Sequence, residues 1–253
     1  MSVEAPNNIK FQSLQSINVP PKKTTDPHGF RQLFETQSSK YEQRPDHSPK
    51  SPKNGTFWME YPSADQKNIE DALSKITSLK QDGLLKFTNI KPNQLTFSEV
   101  LKGVEDNSRV KHLIIRQSSL SDHHIQTISK VLQLNDGIAW LVLDHNKIDD
   151  RGVRYLAHGL ANNLEIKHVV LADNDIGDDG AVALSQSLKH HPNVESLWLQ
   201  GNDIGDVGAE SIINMIEDHP TLRTIDIRDN QMSESKKNLL IKVCEKSNAR
   251  CYA

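Results

Sequence analysis

The side chains able to do chemistry crowd into one part of this chain. Nine of the eleven histidines follow residue 110, and three groups there have types suited to metal or proton chemistry. His112 and His168 are the first, and they fall in one column of strands that stand two apart, at ~10 Å. A zinc ion needs each ligand at ~2 Å, so that pair alone shares no metal. His145 with Asp144 and Asp173 is the second group, on neighbouring loops, where it reads as solvated or partner-facing. Cys244 and Cys251, the only cysteines, have neither a CxxC nor a zinc spacing. The sequence carries no GxSxG, no HExxH and no phosphate-binding glycine loop. No nucleophile lies at a spacing that would pair it with a base. These residues predict no enzyme, no metal and no cofactor.

The groupings rest on a period. Asn146, Asn174, Asn202 and Asn230 stand 28 residues apart, with Ser118 one step earlier. Around each runs L-x-x-L-x-L-x-x-N-x-L: Val110, Leu113, Ile115, Ser118, Leu120; Ile138, Leu141, Leu143, Asn146, Ile148; Ile166, Val169, Leu171, Asn174, Ile176; Val194, Leu197, Leu199, Asn202, Ile204; Leu222, Ile225, Ile227, Asn230, Met232. Five copies in phase without an insertion mark a repeat array. Apolar residues two apart point the same way from a short strand. The asparagine offers both donor and acceptor to backbone where the chain turns away. A helix fills the rest of each unit, with Val153, Leu156, Leu160; Ala181, Leu184, Leu188; and Ala209, Ile212, Ile216 at helical spacing. Asp122, Asp150, Asp178 and Asp206, with Glu234 last, fall where an N-cap is needed, and His191-Pro192 and His219-Pro220 are stops. Gly152, Gly180 and Gly208 mark close packing against a neighbouring turn.

The phase also says which residues leave the strands on the far side. One column is His112, Trp140, His168, Ser196, Thr224, and the next is Ile114, Val142, Val170, Trp198, Asp226. Two more are Arg116, Asp144, Ala172, Gln200, Arg228 and Gln117, His145, Asp173, Gly201, Asp229. Trp140 and Trp198 therefore share one surface with Ile114, Val142 and Val170. An exposed apolar patch rimmed by His112, His168, Arg116, Asp144, His145, Asp173, Gln200, Asp226 and Arg228 is expected, and that is the make-up of a protein interface. Tryptophan and arginine dominate binding energy in such surfaces.

The flanks differ. Applying the period backwards gives Leu85, Phe87, Phe97, Val100 and Val104, a degenerate repeat in which Ile90 replaces the asparagine. Before it, Ser63 to Gln66 reads as a capping box opening a helix that carries Ile69, Leu73, Ile76 and Leu79 and stops at Asp82-Gly83. Phe57 to Tyr61 is expected to pack onto the domain. Leu239, Leu240, Val243 and Cys244 continue the final helix, with Cys244 as a small core residue and Cys251 an incidental thiol. Eight of the eleven prolines lie in residues 1–62, and that composition cannot offset chain entropy. The division expected is a disordered tail over 1–55, an N-terminal cap and degenerate repeat over 56–109, and five repeats with a capping helix over 110–253. Within the tail, Phe30 to Phe34 is a candidate docking motif and Ser48 to Lys53 a candidate phosphorylation site. The formal net charge of −3 points away from nucleic acid. No stretch approaches the ~18 apolar residues of a membrane span, and the first residues lack a signal-peptide pattern. Too few cysteines for a disulfide framework suit a reducing, cytoplasmic setting.

These repeats resemble the leucine-rich repeat family. Asn174-Asp175-Ile176-Gly177-Asp178-Asp179-Gly180 and Asn202-Asp203-Ile204-Gly205-Asp206-Val207-Gly208 are similar to the ribonuclease-inhibitor-type subclass. The resemblance covers about residues 84–253. It implies an α/β solenoid, a horseshoe with parallel strands on the concave face and helices on the convex face. It also implies a monomer that grips a protein partner in the concavity, in one version covering and regulating an enzyme. An alternative within related proteins is activation of a small GTPase, for which Arg116 is the candidate arginine. A bacterial effector acting in a host cytosol is an alternative setting.

Overall fold

The computed structural model describes residues 57–61, 66–80, 82–90 and 94–253. Strands and helices alternate: β1 (Phe57–Tyr61), α1 (Gln66–Thr77), β2 (Gly83–Thr88), α2 (Gln94–Glu105), β3 (Val110–Arg116), α3 (Asp122–Leu134), β4 (Trp140–Val142), α4 (Asp150–Asn162), β5 (His168–Val170), α5 (Asp178–Leu188), β6 (Ser196–Trp198), α6 (Asp206–Glu217), β7 (Thr224–Asp226), α7 (Glu234–Lys246) and β8 (Arg250–Tyr252). The eight strands form one parallel sheet in chain order, so each strand–helix unit lies beside its sequence neighbours. The fold is a leucine-rich repeat solenoid. Leu113, Leu141, Val169, Leu197 and Ile225 pair in register across β3 to β7. They are buried between the sheet and the helix residues Ile128, Leu156, Leu184 and Ile212. Leu85 and Phe87 take the same register in β2, opposite Leu113 and Ile115.

A ladder of asparagines locks the period. Asn174 Nδ2 donates to the carbonyls of Leu171 in its own repeat and Leu143 in the previous one, at 3.0 and 3.1 Å. Its Oδ1 accepts from the Ile148 amide at 3.1 Å. Asn146, Asn202 and Asn230 repeat the pattern. At Ser118 the hydroxyl covers less, donating to the Arg116 carbonyl at 2.5 Å and accepting from the Ile90 amide at 3.4 Å.

The aspartates at the helix starts do something other than expected. The N-caps are Ser121, Asp149, Gly177, Gly205 and Ser233, one residue before each acidic position. A glycine N-cap has no side chain to offer the first-turn amides. The aspartate one repeat upstream supplies it: Asp150 Oδ1 accepts from the Gly177 and Gly180 amides at 2.6 and 2.9 Å. Asp178 does the same for Gly205 and Gly208 at 2.7 and 2.8 Å. Gly180 leaves the room this requires, because a Cβ there would stand 2.6 Å from Asp150 Oδ1.

A second ladder runs along the helix C-termini, and sequence periodicity did not disclose it. Asn135 and Asn163 each donate to two carbonyls of earlier repeats and accept from two amides that follow. His191 takes over in the next repeat, with Nδ1 accepting from Asn193 and Val194 at 3.3 and 3.2 Å and Nε2 2.7 Å from the Asn163 carbonyl. His219 Nδ1 accepts from Thr221 and Leu222 at 3.2 and 3.0 Å. The imidazole thus replaces the carboxamide, and a ring nitrogen that accepts amides must be unprotonated.

Several flank expectations change. The first helix ends at Thr77, where the hydroxyl bonds the Leu73 and Ser74 carbonyls. Gly83 opens β2 by donating to the Arg109 carbonyl at 2.7 Å. Phe57–Tyr61 is an edge strand paired with β2. Of the final apolar residues, Leu240, Val243 and Cys244 are buried and Leu239 is exposed. Cys251 is no incidental thiol: it sits in β8 opposite Ile225 and packs against the core. A hydrogen bond with Cys244, then burial, holds its thiol well above the ordinary range. Ser63, Phe30 to Phe34 and Ser48 to Lys53 lie outside the described residues.

Two outcomes follow. Asp178→Ala should lower stability by about 1–2 kcal/mol, several degrees in Tm, whereas Asp179→Ala on the exposed face should leave Tm unchanged. Thermal melts check this. Burial holds His219 at about 4 and His191 below its ordinary value. The unfolded chain binds more protons between about pH 6.5 and 4, so stability present above 6.5 is lost as pH falls through that window. His191→Asn with His219→Asn should flatten the acid limb of the Tm–pH curve.

Candidate partner-binding face

The register brings the columns read from the sequence onto the sheet face away from the helices. His112, Trp140 and His168 are direct partners, as are Ile114, Val142, Val170 and Trp198. The seventh-position residues follow, with backbone amides stepping across from His145 to the Ala172 carbonyl and from Asp173 to the Gln200 carbonyl at 3.0 and 2.8 Å. Gln117, His145, Asp173 and Asp229 have φ of 51–55° and Gly201 has 69°. This left-handed turn at one phase fixes His145 and Asp173 on the rim.

The rings form a stack. Trp140 lies 3.8 Å from His168 and 6.0 Å from His112, centroid to centroid, and stacks on Trp198 at 6.1 Å with 19° between planes. Beneath, Ile114 and Val170 are 2 % exposed, Val142 1 % and Trp198 9 %. The exposed apolar patch expected from the sequence is therefore a covered one. Strands ~4.8 Å apart hold branched side chains in contact, and the larger rings close over them. With Leu84 and Ala172 these residues make an apolar cluster separate from the main core. The half-buried Trp140 and the two histidines present the face to solvent.

Burial sets the electrostatics. Desolvation lowers His112 and His168 to about 4, so both are neutral aromatic rings at pH 7. Arg116 donates through Nε and Nη2 to Asp144 Oδ2 at 2.8 and 2.6 Å. His145 stands 3.7 Å from that oxygen and 3.4 Å from Asp173 Oδ2. Asp226, fully buried, is held in a two-point pair by Arg228 at 2.9 and 2.5 Å. Arg228 also lies 5.3 Å over the Tyr252 ring. Asp226 is thus turned to Arg228 rather than offered outward.

One polar feature was invisible in the sequence. Eight buried side-chain nitrogen or oxygen atoms among the described residues have no hydrogen-bond partner. Five lie on this face: Thr88 Oγ1, His112 Nδ1, Asp144 Oδ1, His168 Nδ1 and Gln200 Oε1. Such atoms are uncommon, because each left unpaired costs about 1–3 kcal/mol. No cluster of three or more histidine, cysteine or acidic residues among the described residues has metal-binding geometry. No helix among them is long and apolar enough to cross a membrane.

The leucine-rich repeat family profile matches residues 141–157, 162–185 and 190–212. Among solved structures the chain is similar to actin-binding site 2 of leiomodin-1, with a TM-score of 0.53 and 15 % identity over 62 % of this chain and 90 % of that one. At that identity the likeness is one of fold. No curated protein matches the chain.

The neutral stack gives a direct readout. Tryptophan emission should stay constant from pH 8 to 5.5. A change with a midpoint near 6.5 that disappears in His168→Gln would show the imidazoles solvated and contradict the burial described.

Proposed function

We propose, on the premise that this chain belongs to the leucine-rich repeat family, that it is a non-enzymatic binding module that grips one protein partner on its strand face. The observation that carries this reading is the clustering of unpaired buried polar atoms. Five of the eight lie along the same face as the tryptophan–histidine stack. Polar atoms left without partners at a well-packed surface are what a partner completes. Rigid aromatic rings beside them supply contact area at small entropic expense. A similar fold carries an actin-binding site in leiomodin-1, which supports a protein as the occupant.

Regulation of a bound enzyme is one use of such a grip, and the partner's identity decides it. The GTPase-activating alternative gains no support from Arg116, whose guanidinium is already turned onto Asp144.

The test compares three baits in cell extract: wild type, Trp140→Ala and Val207→Glu. Val207 is 66 % exposed on α6, away from the strand face. A partner held by wild type and Val207→Glu should bind Trp140→Ala about 30-fold more weakly, the loss of a hot-spot residue. Equal capture by Trp140→Ala contradicts the proposal, provided circular dichroism shows the variant folded.

A further inference from the structure

From α4 to α6, each helix carries an apolar residue in its last turn and the next strand carries another. Leu160 is followed nine residues on by Val169, Leu188 by Leu197 and Ile216 by Ile225, and all six are buried in one core. In the last unit both places fall to cysteine. Cys244 stands in α7 at the phase of Ile216, and Cys251 in β8 is the register partner of Ile225. They are seven residues apart rather than nine, because the chain reverses sooner after α7. The Ser247 amide donates to the Val243 carbonyl and the Ala249 amide to the Cys244 carbonyl, both at 2.9 Å. Asn248 between them takes a left-handed φ of 55°. That reversal lays β8 against α7. Cys244 is 1 % exposed, and the half-buried Cys251 packs on the same core. The two thiols share a hydrogen bond.

Aliphatic side chains fill this corner in the earlier units. Two thiols fill it and can also be joined. Bonded sulfurs stand about 2 Å apart, so thiols already in hydrogen-bond contact close on one another by side-chain rotation. Access favours one order of events. β8 is last in the sheet and pairs with β7 alone among the described residues. Three residues of edge pairing open more easily than the core behind them, and opening exposes Cys251 first. While β8 is closed, the hydrogen bond with Cys244 and then burial keep the Cys251 thiol protonated. Once β8 opens, both restraints are gone and the thiol reacts as an ordinary one.

We infer that Cys244 and Cys251 are a modifiable dithiol, which a low-molecular-weight disulfide such as glutathione disulfide converts to an intramolecular disulfide tying β8 to α7. The chemistry is two exchanges. The Cys251 thiolate attacks one sulfur of the reagent, forming a mixed disulfide and releasing one thiolate. As β8 returns, the Cys244 thiolate attacks the Cys251 sulfur and expels the second. The protein gives up two protons and two electrons, and the reagent leaves as two thiols. Excess thiol runs both exchanges backwards. The tie holds one end of the strand face, because Tyr252 is the register partner of Asp226 and lies under Arg228.

The experiment incubates the full chain with glutathione disulfide at mildly alkaline pH, traps remaining thiols with N-ethylmaleimide in denaturant, and weighs the product. Wild type should lose the mass of two hydrogens and take up no maleimide. Trypsin should then release Val243–Lys246 linked to Cys251–Ala253. The oxidised chain should melt several degrees higher than the reduced one. Cys251→Val places in β8 the residue that β5 carries at the same register, Val169, so it keeps the fold. It should form no disulfide and melt identically with and without the reagent. A glutathione adduct left on either cysteine, a covalent dimer, or maleimide on both cysteines overturns the inference. So does a Tm that fails to rise on oxidation, the mark of a bond the fold must distort to accept, or one that rises equally in Cys251→Val.

Discussion

Buried backbone that no strand or helix satisfies is the constraint on which this solenoid depends. From β4 to β7 seven residues connect each short strand to its helix, and much of that stretch is out of water. The asparagine at the 28-residue phase answers it by bonding backbone of two repeats at once. A repeat is therefore complete only against its neighbour, as expected of arrays whose stability is a sum of nearest-neighbour interfaces. The aspartates that cap the following helix and the Asn–His line at the helix ends are further instances of the same dependence. Three hydrogen-bond lines thus fix the spacing of the units at their turns and at both ends of the helices.

That fixed spacing is what orders the strand face. With registers locked, residues one repeat apart stand in columns, and a column of histidine and tryptophan becomes a stack. Ring over ring, with valines and isoleucine beneath, leaves a continuous apolar strip that is mostly covered. The same locking strands polar atoms. Asp144 and Gln200, two repeats apart in one column, each keep one buried oxygen without a hydrogen-bond partner.

What could be read beforehand divides along the same line. The strand columns, the asparagines and the degenerate unit at Leu85 and Phe87 were legible because each depends on phase alone. The aspartates were misread by one residue because a carboxylate that caps the next repeat and one that caps its own helix occupy nearly the same place in sequence. The second ladder was hidden by a change of residue type: nothing in a pattern says that His191 stands in for Asn163. β8 was missed because Cys251 pairs with Ile225 two residues short of the repeat phase. The covering of Val142 and Val170 is a matter of side-chain packing across strands, which no column of letters contains.

The central claim is that the strand face, not the helical surface, meets a partner. A photo-crosslinking benzoylphenylalanine placed at Trp140 or at Val207 in the full chain, irradiated in cell extract, tests it by contact alone. The account predicts a discrete heavier adduct from position 140 and none from position 207. An adduct from position 207 alone, or equal adducts from both, would contradict it.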